Sequence, residues 1–171
     1  GNDTFNGGEG NDSMAGGGGN DIYLVENAGD TYTEAAGAGN DLVISYLAAH
    51  TLGANVERLQ LAGTATTGTG NSLNNTITGN TRNNTLNGGT GSDTLDGATG
   101  SDTISGGAGA DFFVFSTALN ATTNVDIVTD FNVIDDTIRL ENAVFTQFAA
   151  TGAIPAGTFV SGAGAVALDG N

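Results

Sequence analysis

The sequence predicts an all-β fold, a solenoid of stacked parallel strands joined by glycine-rich turns, on three observations. Asp or Asn recurs every nine residues, at Asp3, Asp12 and Asp21 and again at Asn75, Asn84, Asp93, Asp102 and Asp111. An apolar residue stands two places after each: Phe5, Met14 and Tyr23, then Ile77, Leu86, Leu95, Ile104 and Phe113. Glycine crowds the places before, as in GGGGNDIYL from Gly16 and GGTGSDTLD from Gly88, and makes up 29 of the 171 residues. Repetition at a short fixed period is the signature of a stacked array.

Each unit divides in two. Its first six residues are turn chemistry, because Gly accepts positive φ and Asp or Asn closes a turn through its side chain. Its last three alternate polar, apolar, polar, as in Thr94-Leu95-Asp96, which is a minimal strand with one inward residue. Such a strand is stable only when stacked. Two units close one coil of 18 residues, so that units n and n+2 lie about 4.8 Å apart as parallel neighbours. The copy AGAGNDLVI from Ala36 stands two residues out of frame, since Asp41 follows Asp21 by 20.

Composition excludes several functions. The formal charge is −16, with three basic residues, Arg58, Arg82 and Arg139, and no Lys. That leaves no basic patch for nucleic acid. Cys is absent, so disulfide and zinc-thiolate scaffolds are excluded. No apolar run is long enough to make a transmembrane segment. No HExxH, GxSxG, cysteine nucleophile or P-loop lysine is present, and the chain carries no recognisable catalytic constellation, so it reads as no enzyme.

The stacking sets the chemistry. It brings Asp3 against Asp21, Asp21 against Asp41, Asp12 against Asp30 and Asp93 against Asp111, with Asp102 in the same series. Carboxylates held that close repel unless a cation lies between them. A site built of carboxylate and carbonyl oxygens suits Ca²⁺, which takes 6–8 oxygens; Mg²⁺ demands a tighter octahedron.

These units closely resemble the glycine-rich nonapeptide of RTX, or hemolysin-type calcium-binding, proteins. The stretches 7–24 and 88–114 match it almost residue for residue. The resemblance implies a parallel β-roll, a right-handed β-solenoid, in a protein secreted to the extracellular medium or cell surface through type I secretion machinery and folding there on calcium. It implies carbonyl ligands as well: Gly16, Gly18, Gly37 and Gly39 beside Asp21 and Asp41, and Gly88, Thr90, Gly107 and Gly109 beside Asp93 and Asp111. DIVTDF followed by DDTIRL resembles the β cap of serralysin-like exoproteins. There Asp126, Asp130 and Asp136 would complete a last site, and Val128, Phe131, Ile138 and Leu140 would close the apolar column. About five Ca²⁺ ions are expected from the paired sites. A passenger domain, enzymatic or adhesive, would lie elsewhere in the protein.

Two turns depart from the repeat. NSLNNTITG and NTRNNTLNG carry Asn75 and Asn84 in place of Asp, with Leu73 and Arg82 in place of Gly. They are expected to bind Ca²⁺ weakly or not at all, held instead by stacked Asn side chains. Glu26, Glu34 and Glu57 read as surface charges, with Glu34 or Asp30 the candidates for an extra calcium oxygen. His50 reads as structural, and Arg58 and Arg139 as partners of nearby acids. Phe112, Phe113, Phe115 and Phe131 read as core where roll meets cap. A row of Thr81, Thr90 and Thr99 beside Asn74, Asn83, Ser92 and Ser101 keeps open an ice-binding, adhesin or self-assembling surface-layer use of the same solenoid, with self-association or cell-surface contact.

The organisation expected is a first roll block at 1–44, a spacer strand at 45–69, a second roll block at 70–114, a β cap at 115–148 and a loose tail at 149–171. Gly1 falls at the fourth place of a unit, so the chain is expected to begin inside a repeat, with its secretion signal beyond Asn171.

Overall fold

The computed structural model describes residues 1–118, 120 and 122–141. The expected tail and the end of the cap lie outside the described residues. Fifteen short strands follow one another in the chain: β1 (Thr4–Asn6), β2 (Ser13–Ala15), β3 (Ile22–Val25), β4 (Thr31–Thr33), β5 (Leu42–Ser45), β6 (Ala49–Thr51), β7 (Arg58–Leu61), β8 (Thr67–Thr69), β9 (Thr76–Thr78), β10 (Thr85–Thr90), β11 (Thr94–Asp96), β12 (Thr103–Ala108), β13 (Phe112–Phe115), β14 (Ile127–Val128) and β15 (Thr137–Leu140). Odd-numbered strands form one eight-stranded sheet in the order β1-β3-β5-β7-β9-β11-β13-β15. Even-numbered strands form the opposite face, β2-β4 as one sheet and β6-β8-β10-β12-β14 as another. The pairings between these strands are parallel. The architecture is a parallel β-solenoid, and no helix occurs among the described residues, so none is present to cross a membrane.

The core is two columns of inward side chains. One runs Phe5, Tyr23, Val43, Leu59, Ile77, Leu95, Phe113 in register across the odd-numbered strands. The other passes through His50, Gly68, Leu86, Ile104 and Val128. Strand patterns such as exposed-buried-exposed in β2 put one side chain of the strand inside. Burying one such Leu or Ile contributes roughly 1.5–3 kcal/mol, which one coil alone could not turn into stability. His50 replaces an apolar residue in its column. It is 8% exposed and shares a hydrogen bond of 2.9 Å with the Tyr32 hydroxyl, so its place is structural. Burial holds the His50 imidazole below its ordinary pKa.

Residues 45–69, expected as a single spacer strand, carry β6, β7 and β8: β7 joins β5 to β9 in the long sheet, and β6 and β8 begin the five-stranded sheet that continues into β10. The glycine and aspartate signals lapse here, but the inward positions keep the period of nine: His50, Leu59, Gly68, Ile77. The frame shift also heals. The Asp21–Asp41 step is 20 residues and the Asp41–Glu57 step is 16, so the two together make 36, or two coils of 18.

The region expected as a cap extends the same sheets. β14 adds to β12 and β15 to β13, both parallel, after longer excursions. Val128, Phe115 and Phe131 pack on the core, with the Phe131 ring 6.0 Å from that of Phe113. One expectation fails here, that of Phe112 as core, while Ile138 is part-exposed because it ends the stack. Phe112 is 44% exposed and Ile138 is 38% exposed. Successive strand residues face opposite ways, so Phe112 turns outward beside the inward Phe113. Ile138 lies over Phe113 in register, on the last strand of the sheet.

Candidate metal centre

The repeat aspartates stand in line along the stack. The amide of each donates to the carboxylate of the next coil: Asp3 to Asp21 Oδ1 (2.7 Å), Asp21 to Asp41 Oδ1 (2.8 Å), Asp93 to Asp111 Oδ1 (2.8 Å) and Asp111 to Asp136 Oδ1 (3.0 Å). On the opposite side Asp12 donates to Asp30 Oδ1 (3.2 Å) and Asp102 to Asp126 Oδ1 (3.0 Å). The residue before Asp21, Asp41, Asp93 and Asp102 returns the bond. Asn20 donates to Asn2 Oδ1 (2.8 Å), Asn40 to Asn20 Oδ1 (2.9 Å), Ser92 to Asn74 Oδ1 (2.8 Å) and Ser101 to Asn83 Oδ1 (2.9 Å). Neighbouring coils are thus stitched in both senses. Asn74 and Asn83, whose row had kept open a surface role, are acceptors in this stitching.

In Asp21, Asp41, Asp93, Asp102 and Asp111 one oxygen accepts an amide of the neighbouring coil. Asp30 and Asp136 use both oxygens, Oδ2 accepting from the amides of Glu26 and Asn27 and of Asn132. Oδ2 of Asp12, Asp21, Asp41, Asp93, Asp102 and Asp111, with Oε2 of Glu34, is buried and has no hydrogen-bond partner. Asp41 and Asp93 are 0% exposed. An unsatisfied buried polar atom costs about 1–3 kcal/mol, and more when charged. The two ion pairs among the described residues lie elsewhere, Gly1 with Asp3 and Arg139 with Glu141. Burial, and then the charge of Asp111, push the Asp93 carboxyl up to about 6 against an amide bond from Asn75 that lowers it. Burial likewise raises Asp102 to about 6, with Asp126 adding to it. Asp111 and Asp126 are raised mainly by burial. An all-oxygen set of buried anions lacking counter-charge fits a hard divalent cation of Ca²⁺ type.

The first glycine of each unit faces this free oxygen. A Cβ built on Gly88 would collide with Asp93 Oδ2 and lie 2.5 Å from the Gly106 carbonyl oxygen. Gly97 and Gly106 stand in the same relation to Asp102 and Asp111. Among the carbonyl ligands implied by resemblance, Gly18 accepts a bond of 2.6 Å from the Gly1 ammonium. A Cβ built on Gly39 or Gly109 would collide with the carbonyl of Gly19 or Gly91. Gly88 and Thr90 lie in β10 and Gly107 in β12, with Gly89 paired to Gly107 and Thr90 to Ala108. Gly16 abuts Asp21, and Gly37 has a φ of 70° in the longer turn before Asp41. Asp130 is used differently. Its Oδ1 accepts from the Gly106 amide, and its Oδ2 from the Gly107 amide (2.9 Å) and the Ser105 hydroxyl (2.6 Å). Although burial works against it, these bonds hold Asp130 below the ordinary carboxylate pKa.

Asn75 and Asn84 fill the same position with neutral side chains. Their amides donate up the stack to Asp93 Oδ1 (2.6 Å) and Asp102 Oδ1 (2.7 Å). Their Nδ2 groups donate to backbone carbonyls, Asn75 to Val56 (3.1 Å) and Asn84 to Ala65 (3.3 Å). In place of the expected ladder of stacked Asn side chains, the Nδ2 groups reach main-chain carbonyls of the neighbouring coil, and Asn84 Nδ2 also reaches Asn80 Oδ1 (3.3 Å) in its own turn.

Two further carboxylates join the line, Glu57, expected as a surface charge, and Glu34, a candidate for an extra calcium oxygen. Glu57 stands in the aspartate line, its Oε2 accepting the Asp41 amide at 2.9 Å. Counting 18 residues back from Asn75 reaches it. Glu34 meets Asp21 and Asp41, one oxygen of each carboxylate lying within 4.8 Å of the others.

The family model for the RTX calcium-binding nonapeptide repeat (4 copies) matches residues 1–31, 69–104 and 87–115. No curated protein matches the chain. The matched segments contain the stitched turns of Asp3 to Asp30 and of Asn75 to Asp111, and these segments, within the parallel solenoid, are an RTX β-roll region built of calcium-binding nonapeptide repeats.

Proposed function

We propose that this region is a calcium-folded module of a secreted protein, passing through type I secretion machinery unfolded and condensing outside the cell, where it stabilises a passenger domain. The observation that carries this reading is the line of buried carboxylate oxygens without partners. Bound Ca²⁺ would supply the positive charge that these anions lack. Asp21 with Asp41, Asp93 with Asp111, Asp12 with Asp30 and Asp102 with Asp126 are the pairs that would hold it, with Asp136 closing the last coil and Asp3 the first. About five ions are proposed, which would cancel roughly ten of the negative charges. Without them, carboxylate repulsion and the chain entropy of 29 glycines oppose the stack. Metal binding and folding are then one equilibrium. Under low cytosolic calcium the chain stays extended enough to be exported.

Circular dichroism of the chain in calcium, then in excess chelator, tests this. The expected result is a β spectrum with calcium and a disordered one without. A β spectrum unchanged by chelator would sink the reading.

A further inference from the structure

We propose that Asp21, Glu34 and Asp41 form a three-carboxylate cation centre, different in composition from the repeat turns, that takes Ca²⁺ before they do. The proposal rests on the calcium reading above and concerns which site is filled first and by what ligands.

The repeat turns open on glycine, as at Gly7, Gly16, Gly88, Gly97 and Gly106, and that glycine faces the free aspartate oxygen. Eighteen residues after Gly16 the chain has Glu34 instead. The turn that follows carries the two extra residues of the 20-residue step. The added length gives a long acidic side chain room where a glycine otherwise lies flat.

The geometry is that of a ligand shell. A Ca²⁺ ion with oxygens at 2.3–2.6 Å joins oxygens up to about 5 Å apart. The three carboxylates here each offer one oxygen within 4.8 Å of the other two. Asp21 and Asp41 are 1% and 0% exposed, so the enclosure is deeper than that of an acidic surface cluster. Each carboxylate is fixed by one oxygen and unpartnered at the other. Asp21 Oδ1 accepts from Asp3, Asp41 Oδ1 from Asp21, and a Glu34 oxygen from the Tyr23 hydroxyl. Oδ2 of both aspartates and Oε2 of Glu34 remain without partners. A Cβ on Gly16 would run into Asp21 Oδ2, the Tyr23 hydroxyl oxygen and Glu34 Oε1 together, so these atoms surround one point that only a glycine leaves open.

Three anions in place of the two of a repeat pair raise affinity, since ligand charge count tunes calcium sites. Tyr23 is a positioning residue. Its ring is 0% exposed and stacks between Phe5 and Tyr32 at centroid distances of 5.3 and 5.4 Å, so the hydroxyl that orients Glu34 hardly moves.

Titration of the full chain with Tb³⁺ and, separately, with Ca²⁺ tests the centre. The chain has no Trp, and Tyr23 is the tyrosine bonded to a ligand of the site, so tyrosine excitation reports Tb³⁺ bound there. Sensitised emission is expected to develop within the first equivalent and to be displaced by Ca²⁺. Glu34→Gln is expected to remove that early emission and to weaken the first calcium event about tenfold or more, while the later events persist. Tyr23→Phe is expected to abolish the emission with a smaller loss of calcium affinity than Glu34→Gln. Wild-type emission that grows only over later equivalents, or a Glu34→Gln isotherm superposing on the wild type, would overturn the proposal. The filling order in the wild type decides even if Glu34→Gln does not fold. Failure of the wider calcium reading looks different: a far-ultraviolet spectrum indifferent to calcium in every variant.

Discussion

The amide of Asp93 donates to Oδ1 of Asp111 at 2.8 Å, while Oδ2 of both residues is buried without a partner. One atom of the side chain builds the stack and the other awaits a cation. The two duties are chemically separable, and Asn75 shows how: its amide makes the same bond up the stack, and its Nδ2 finds a main-chain carbonyl.

Asp93→Asn should therefore keep the coil and lose the metal. Expected is a fall in calcium stoichiometry by calorimetry, with the calcium-free form stabilised by about 1–3 kcal/mol through removal of an unpaired buried anion. Circular dichroism in chelator, with a stabilising osmolyte added stepwise to wild type and variant, measures the gain. Asp93→Ala, which deletes both oxygens, should lose stoichiometry without that gain.

Acid should partly substitute for calcium. Asp93 and Asp102 are pushed up to about 6 in the folded chain from an ordinary 3.8. Between these values the folded state binds protons that the unfolded state has released, so stability without metal falls as pH rises through this window. In chelator, β signal should increase as pH drops from 7 toward 5. In calcium the direction reverses, because protons compete for the same oxygens, and the apparent calcium affinity should fall over that range.

Gly88→Ala and Gly18→Ala should differ sharply. A Cβ at Gly88 meets Asp93 Oδ2 and the Gly106 carbonyl, whereas one at Gly18 meets nothing within 4 Å. Gly88→Ala should lower both calcium affinity and thermal stability. Gly18→Ala should stay within about 0.5 kcal/mol of wild type, as open surface positions do. Calorimetric melting in calcium compares them.

Leu95→Ala should cost about 2–5 kcal/mol in the calcium-bound state, because Leu95 is 0% exposed and lies in register between Ile77 and Phe113. The same change in chelator should alter the spectrum little if the chain is already disordered there.

The stack and its aspartate pairs were legible because the period, the glycines and the acids coincide in 7–24 and 88–114. Where they part company, reading along the chain lost the thread. The coil at 45–69 keeps only its inward residues in step, and His50 and Gly68 hold two of those places, so no apolar run announced it. Glu57 was hidden by a 16-residue step that compensates a 20-residue one, and a pattern of equal steps cannot register a deletion that cancels an insertion. Glu34 sits where the repeat expects glycine, and its approach to Asp21 depends on the path of an irregular turn. Phe112 against Phe113 turned on strand phase alone, which two adjacent aromatics do not reveal.

The rings of Phe5, Tyr23, Tyr32 and His50 stand one upon another, with neighbouring centroids 5.3, 5.4 and 5.8 Å apart. All three tyrosines of the chain fall within its first 46 residues. The interior of the second half is built instead of Ile77, Leu86, Leu95, Ile104 and Phe113. The two halves of one solenoid consequently have different optical identities. The tyrosine band of the near-ultraviolet dichroism reports the ordering of the first half, and the amide region reports both. Followed together during a single calcium addition, the two signals separate in time whichever half condenses first, with no label attached to the chain.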